Sequence, residues 1–469
     1  MLSRFKNLER KEIFKIIFVF ATVGVFIIFK FSHLALRFGD TNAYLYMADG
    51  LWKWLMPYRD YFLADPPFLV ILLAFFKLIF GKSLILFQTL PILFEAGTAV
   101  VIYFLLKKWA NPLAFLAPFI LLFSFTVLST SDYMTGVQLV VFLSALAIWF
   151  WEKESFVLSG LFWSLAVLTK LYVIPAIVVF VLLALFKREY RQVWRFSLGF
   201  ISTAIVIFLP FIGSIGKIFE YLVVHQFSRP MGNDKWYVIR FFFQKEYFIL
   251  LLGFFGMIWS VSKKWIIILP CLAMMYFFLI YKDLYYLYFD SFLFYVVILF
   301  LEFVGFLWLK SIEVKRLLVI PLVLYIIFAL FSFSDYYNNF KNQGLFINSS
   351  EVGDYIRTLP NNFDLYGSHE LTPLVALESD RRLFDNQIDT NTQAFASKAL
   401  DLEQISIKAV NSGIYLLAKV QDFPEYGIND FGYGGYFSES VFKRFCKRLK
   451  DFPVIYSNEK VAVYRCKAE

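Results

Sequence analysis

The sequence predicts an all-α polytopic membrane domain followed by a small α/β domain. Three observations predict it. Of the 469 residues, 60% are hydrophobic and only 17% are charged, where a soluble protein would carry about 25% charged residues. Aromatic residues reach 21%, with 60 Phe, so much of the surface has to suit lipid. Apolar runs recur as far as Phe333, after which the composition turns mixed.

The net charge of +9 is no argument for nucleic acid, because excess Lys and Arg in a membrane protein gathers in cytoplasmic loops. Three Cys are too few for a disulfide framework. Cys271 lies inside an apolar run. Cys446 and Cys466 either pair in an extracytoplasmic tail or stay as free thiols.

The first element follows from Arg4, Lys6, Arg10, Lys11 and Lys15, which flank an apolar run from Ile13 to about Leu36. The run is longer than a signal-peptide core and no small-residue cleavage site ends it. It is expected to be a helix with its N-terminus in the cytoplasm. Ten further spans are expected near 84–106, 112–130, 134–151, 155–169, 171–186, 196–213, 247–262, 265–281, 290–309 and 317–333, about eleven in all. Several are shorter than the roughly 20 residues that cross a bilayer. An odd count leaves the C-terminus outside.

The basic residues test this topology. The inner turns would carry Lys107-Lys108, Lys153, Lys187-Arg188 with Arg191 and Arg195, Lys263-Lys264, and Lys310 with Lys315-Arg316. The outer turn 129–133 carries only Asp132. This is the positive-inside pattern. The apolar run Phe68–Phe80 follows Pro66-Pro67 and ends at Gly81-Lys82. It is short for a crossing, and counting it as one would reverse every later basic turn. Residues 35–83 are therefore expected to form one long outer loop on the membrane. Inside it Tyr44, Met47, Ala48, Leu51 and Leu55 recur at helical spacing. This predicts an amphipathic helix in the interface plane, with Trp52, Trp54 and Tyr58 in the headgroup layer.

A transmembrane domain over 1–335 and an extracytoplasmic α/β domain over 336–469 are expected. The latter is long enough for its own core. Strands are expected at 413–418 and 461–465, helices at 351–359 and 440–449, and turns at 359–362 and 432–435.

Asp40 leads the candidate functional residues, in Phe38-Gly39-Asp40-Thr41-Asn42-Ala43-Tyr44 at the exit of the first span. A carboxylate beside lipid and aromatic rings suits a general base. It equally suits a helix N-cap, and the two roles are compatible. Tyr44 shares a helical face with Asp40. Asp49 falls on the opposite face and reads as an ion pair with Lys53. Arg59, Asp60 and Asp65 are aimed by the prolines around them. Asp132 is either a helix cap or a site acid. Lys170 interrupts an apolar stretch and either snorkels or binds an anion. His225 and Arg229 sit four apart, suited to phosphate oxygens or to interfacial anchoring. Asp40 with Asp132 would suit a hard divalent cation, and the sequence leaves metal use open. No P-loop, dinucleotide fingerprint, His/Cys metal spacing or nucleophile elbow is present.

In this order the motifs resemble a known family. A carboxylate after the first helix is followed by Pro57-Tyr58-x-Asp60, then by Pro66-Pro67 with a short apolar helix. Ser131-Asp132, the segment from Gly160 to Lys170, and His225 to Arg229 come next. Over roughly residues 10–335 the chain is similar to GT-C fold glycosyltransferases, in particular the protein O-mannosyltransferase and aminoarabinose-transferase-like (RgtA/B/C/D-like) group. The resemblance implies transfer of a sugar from a polyprenyl-phosphate donor to a lipid-linked glycan or protein hydroxyl, with inversion. Asp40 would be the base. Lys170, His225, Arg229 and Arg59 would meet the donor phosphate, with Tyr44, Asp65 and Asp132 in support. Two departures stand out: Asp40 is followed by Thr41, where the family often has a second acid, and Asp65 stands before the prolines, where the aminoarabinose enzymes place a base. The competing readings are a membrane transporter and a non-catalytic, membrane-anchored glycan-binding protein. Polar residues gather at the outer surface and not at the midplane, which counts against a transporter.

Overall fold

The computed structural model describes residues 2–34, 40–81, 83–230, 232, 234–260, 264–340, 349–421, 435–453 and 459–468. Phe38, Gly39, Lys82, Lys263 and residues 432–434 of the expected glycine turn lie outside the described residues. The chain divides into two compact units. The first comprises 1–34, 88–207 and 232–341, and the second 35–87, 208–231 and 342–469. The long loop after the first span thus belongs to the same unit as the C-terminal domain.

Six helices among the described residues are long and apolar enough to cross a membrane: Lys11–Phe31, Thr89–Lys108, Tyr190–Ser228, Lys235–Ser260, Tyr286–Trp308 and Ile312–Asn338. Five shorter apolar helices accompany them: Phe68–Phe80, Val137–Glu152, Phe156–Val167, Leu171–Phe186 and Trp265–Ile280. Helices satisfy their backbone polar groups internally, which lipid requires. This is a multi-pass membrane protein.

Three expected spans take other forms. The run 112–130 is broken into a 3-10 turn and the helices Ala117–Leu122 and Phe125–Thr130. Ser124 makes the break, in an extended conformation, by accepting the Val127 amide. The span expected at 196–213 starts at Tyr190, and its α-helix ends at Phe208, where Pro210 leads into a 3-10 stretch. The span expected at 247–262 starts at Lys235 and kinks at Glu246. Arg240, Lys245 and Glu246 hid its first half from an apolar count. Two of these groups are satisfied within the unit. Lys245 pairs with Asp335, and Glu246 accepts from the Thr126 amide at 2.7 Å and its hydroxyl at 2.8 Å. Elsewhere the 156–167 and 190–208 helices approach backbone to backbone. A Cβ on Gly160 would lie 2.0 Å from the Phe196 carbonyl oxygen.

In the second unit, the helix Asp40–Trp52 departs most from expectation. It does not lie with one face in the interface, because every residue from Thr41 to Gly50 is buried. Trp52 donates to the Ala74 carbonyl of the Phe68–Phe80 helix at 2.9 Å. Asn42 donates to the Glu370 carbonyl at 2.6 Å, and the Tyr46 hydroxyl accepts the Leu383 amide at 3.2 Å. Its polar residues, which read as a solvent face, instead serve the C-terminal domain. Phe68–Phe80 has the expected bounds, and Gly81 ends it at φ +60°.

The C-terminal domain holds a four-stranded sheet of β1 (Asp364–Gly367), β2 (Ile414–Gln421), β3 (Cys446–Pro453) and β4 (Glu459–Cys466) in the order β1-β2-β4-β3. β1 and β2 are parallel, and β2-β4 and β4-β3 are antiparallel. Tyr366, Ile414, Leu416, Phe437, Phe442 and Tyr464 form part of its core. The helix expected over 440–449 stops at Phe445. From Cys446 the chain pairs with β4, and Cys446 is disulfide-bonded to Cys466 directly across from it.

Candidate active site

Asp40 lies in the first turn of the 40–52 helix, with its side chain about half exposed, 47%. Residues 35–39 lie outside the described residues, so no cap is assigned to it. Its Oδ1 is 3.7 Å from Nε2 of His369. His369 stands on the loop that follows β1.

One turn along the same helix, Tyr44 donates its hydroxyl to Asp65. Burial, then the charges of Asp65 and Asp40, push the phenol well above its ordinary range, so it is a fixed donor at neutral pH. The loop bearing Asp65 is held by Tyr58, whose hydroxyl donates to the Asp65 carbonyl at 2.7 Å and whose buried ring packs edge-on against Phe211. Tyr58 is therefore an internal strut and not a headgroup-layer residue.

The 225–229 segment closes on the other side of this loop. Gln226 donates to the Ala64 carbonyl at 2.8 Å. The His225 ring meets Phe62 edge-on at 5.1 Å, and its Nδ1 is 2.7 Å from the Ser397 hydroxyl. Arg229 is oriented by a bond to Gln226 at 3.1 Å. Asp389, on the loop before the 392–396 helix, senses three of these charges together. Its carboxyl is raised above the usual carboxylate range, first by desolvation and then by Asp40, while His369 and Arg229 oppose the rise. Its surface stays partly accessible even though protein crowds the carboxyl.

Five residues singled out in the sequence, Asp40, Tyr44, Asp65, His225 and Arg229, thus fall in one unit around a common set of loops. Arg59 does not join them. Its guanidinium grips Asp60 and the Trp54 carbonyl on the exposed side of the turn. That bond holds Asp60 below the usual carboxylate range. Lys170 and Asp132 belong to the first unit and are both buried there. Asp132 lies 3.5 Å from the Lys30 ammonium, which also donates to the Leu128 carbonyl and the Tyr336 hydroxyl. The expected Asp49–Lys53 pair is present at 2.7 Å, and Lys77 joins it. These three residues line a cavity of about 310 Å³ with Arg357, Glu378 and Arg381. Among the described residues no group of three or more His, Cys, Asp or Glu side chains is arranged to hold a metal ion.

Sequence reasoning missed His369, Asp389 and Ser397. The available signal was weak: a strand-end loop, Gly367-Ser368-His369-Glu370, with one of only three His in the chain.

No family model matches the chain, and no curated protein sequence matches it. Among the solved structures that match, two do so over nearly the full length of both partners. One is ArnT from Cupriavidus metallidurans bound to undecaprenyl phosphate, with 12% identity over 95% of this chain and 97% of that one and a TM-score of 0.63. The other is the same protein in the apo state, with 11% identity, the same coverage and a TM-score of 0.64. At such identity the likeness is one of fold: the chain has the fold of ArnT.

Proposed function

We propose that this protein is an integral-membrane glycosyltransferase that moves a sugar from a polyprenyl-phosphate donor to a hydroxyl of a lipid-linked glycan or protein. The observation that carries this is Asp40, half exposed among Tyr44, Asp65, Arg229 and His369 in a chain with the ArnT fold. ArnT itself has been solved with undecaprenyl phosphate. A donor with a long isoprenoid tail stays in the bilayer, so the acceptor has to be activated at its surface.

Asp40 takes the proton of the acceptor hydroxyl. The acceptor oxygen bonds to the anomeric carbon as the bond from that carbon to the phosphate oxygen breaks. The phosphate leaves with the electron pair, and one displacement inverts the centre. Cations facing the leaving group stabilise its growing charge. Arg229 is the first candidate in the unit that holds Asp40. Supporting the non-cytoplasmic placement of residues 336–469 are the basic inner turns and the Cys446–Cys466 disulfide, a bond of oxidising compartments. The N-terminus is then cytoplasmic and the protein belongs to the cell membrane.

The test is mass spectrometry of lipid-linked glycans and glycoproteins from a deletion strain complemented with wild type or Asp40→Asn. A glycan lost on deletion, restored by wild type and not by a normally inserted Asp40→Asn is expected. Restoration by Asp40→Asn removes Asp40 as the base. An unchanged glycan profile on deletion removes the transferase reading in favour of transport or glycan binding.

A further inference from the structure

Resting on that reading, we infer that the C-terminal domain completes the active site. His369 is a positioning residue that holds the Asp40 carboxylate where it receives the acceptor's proton.

The loop bearing His369 is unusually determined. β1 ends at Gly367 with φ +153°, and a Cβ there would lie 2.1 Å from the Leu417 carbonyl oxygen and 2.7 Å from the Thr372 hydroxyl. The chain then turns at once, with the Leu371 and Thr372 amides both donating to the Ser368 carbonyl at 3.1 and 2.8 Å. Thr390 donates its hydroxyl to the Gly367 carbonyl at 2.6 Å, which ties the loop of Asp389 to the loop of His369. Two successive loop residues then engage the start of the 40–52 helix. His369 faces Asp40 at 3.7 Å, and the Glu370 carbonyl accepts from Asn42 at 2.6 Å. His369 is the more enclosed partner, 16% exposed against 47% for Asp40.

A half-exposed carboxylate at a helix end would otherwise sample several rotamers. Catalysis gains from one geometry held in advance. The imidazole Nε2 stands 3.7 Å from the Asp40 oxygen on a loop fixed by backbone bonds, placed to donate an N–H to it as the contact shortens. That distance exceeds ordinary hydrogen-bond length and is expected to tighten with substrates in place. Asp389 lies near enough to feel Asp40, His369 and Arg229 together. His369 does not accept the acceptor's proton; that proton ends on Asp40.

The test uses the full chain in nanodiscs and in the complemented deletion strain. His369→Ala is expected to lower product formation at least tenfold while binding of a polyprenyl phosphate stays within twofold. His369→Gln, which keeps an N–H donor, should recover to within threefold of wild type. Product from His369→Ala within twofold of wild type overturns the inference. So does an equal loss in the Ala and Gln variants accompanied by weaker lipid binding and a lower Tm, which marks a structural residue. If the Ala variant fails to accumulate, His369→Leu replaces it under the same criteria. Asp40→Asn run in parallel separates the two claims. An active Asp40→Asn sinks the reading of Asp40 as base, whereas an inactive Asp40→Asn beside an active His369→Ala sinks this inference alone.

Discussion

Tyr44 and Asp65 are joined by a hydrogen bond from the phenol to the carboxylate, closing 21 residues of chain between the 40–52 helix and the prolines before the 68–80 helix. A donor to a charged acceptor contributes about 1.5–3 kcal/mol. Tyr44→Phe deletes the hydroxyl and leaves the shape. The expected result is a lower Tm and a loss of transfer of about tenfold, as the Asp65 loop loses its anchor. Because burial and two carboxylates keep the phenol protonated, the deficit should be the same at pH 6 and pH 9. A deficit that disappears toward pH 9 would mean the phenol ionises, against this account.

Lys30 and Asp132 form a buried pair in the first unit, with side chains 1% and 3% exposed. Removing one partner of such a pair strands the other and typically costs about 3–5 kcal/mol. Lys30→Met should therefore sharply lower the Tm of the detergent-solubilised protein. Adding Asp132→Leu should restore most of the loss, since an apolar replacement of a whole buried pair is often neutral. If the double variant is worse than the single, the pair is not the source of the effect.

Much of the fold was legible because it rests on local signals. The apolar, largely helical character of the first 335 residues, the bounds of Phe68–Phe80 and the strands β2 and β4 follow from hydropathy and turn residues. The first half of the 235–260 helix was not, because Glu246 and Lys245 look solvated until Thr126 and Asp335 are seen beside them. Within the site, Asp40 and Tyr44 share a helical face and could be read together. His369 and Asp389 come from loops more than 300 residues later. Nothing in a loop's own sequence separates a solvated His from one held against a distant carboxylate. The burial of Thr41–Gly50 was hidden for the same reason: Thr41 and Asn42 look like a wet face until the Glu370 carbonyl is placed against Asn42.

The Cys446–Cys466 bond joins directly opposed residues of β3 and β4, 20 apart in sequence. Closing a loop of that size stabilises by about 3 kcal/mol in the chain-entropy model. Reduction, or Cys446→Ser with Cys466→Ser, is expected to lower the Tm of the C-terminal domain by several degrees. Limited proteolysis should then cut first within that domain. An unchanged melting curve after verified reduction would show that the strand pairing alone holds the edge.

Asp389 gives a pH dependence whose sign is fixed by its surroundings. Desolvation is the largest influence on its carboxyl, with Asp40 adding to it, so its folded pKa lies above its unfolded one. Below the ordinary carboxylate range, near pH 3.9, both states are protonated and Asp389 does not affect stability. As pH rises past that value the unfolded chain ionises first and gains relative to the fold. The cost grows until pH exceeds the folded pKa and is constant beyond it. Asp389→Asn removes this cost and keeps an acceptor for the Asn391 amide, which Asp389 accepts at 3.2 Å. The variant should melt about 1–3 °C higher than wild type at pH 7, and the difference should close as pH falls toward 4. A variant that melts lower at pH 7 would mean that the favourable fields of His369 and Arg229 outweigh desolvation, with Asp389 ionised and stabilising at neutral pH.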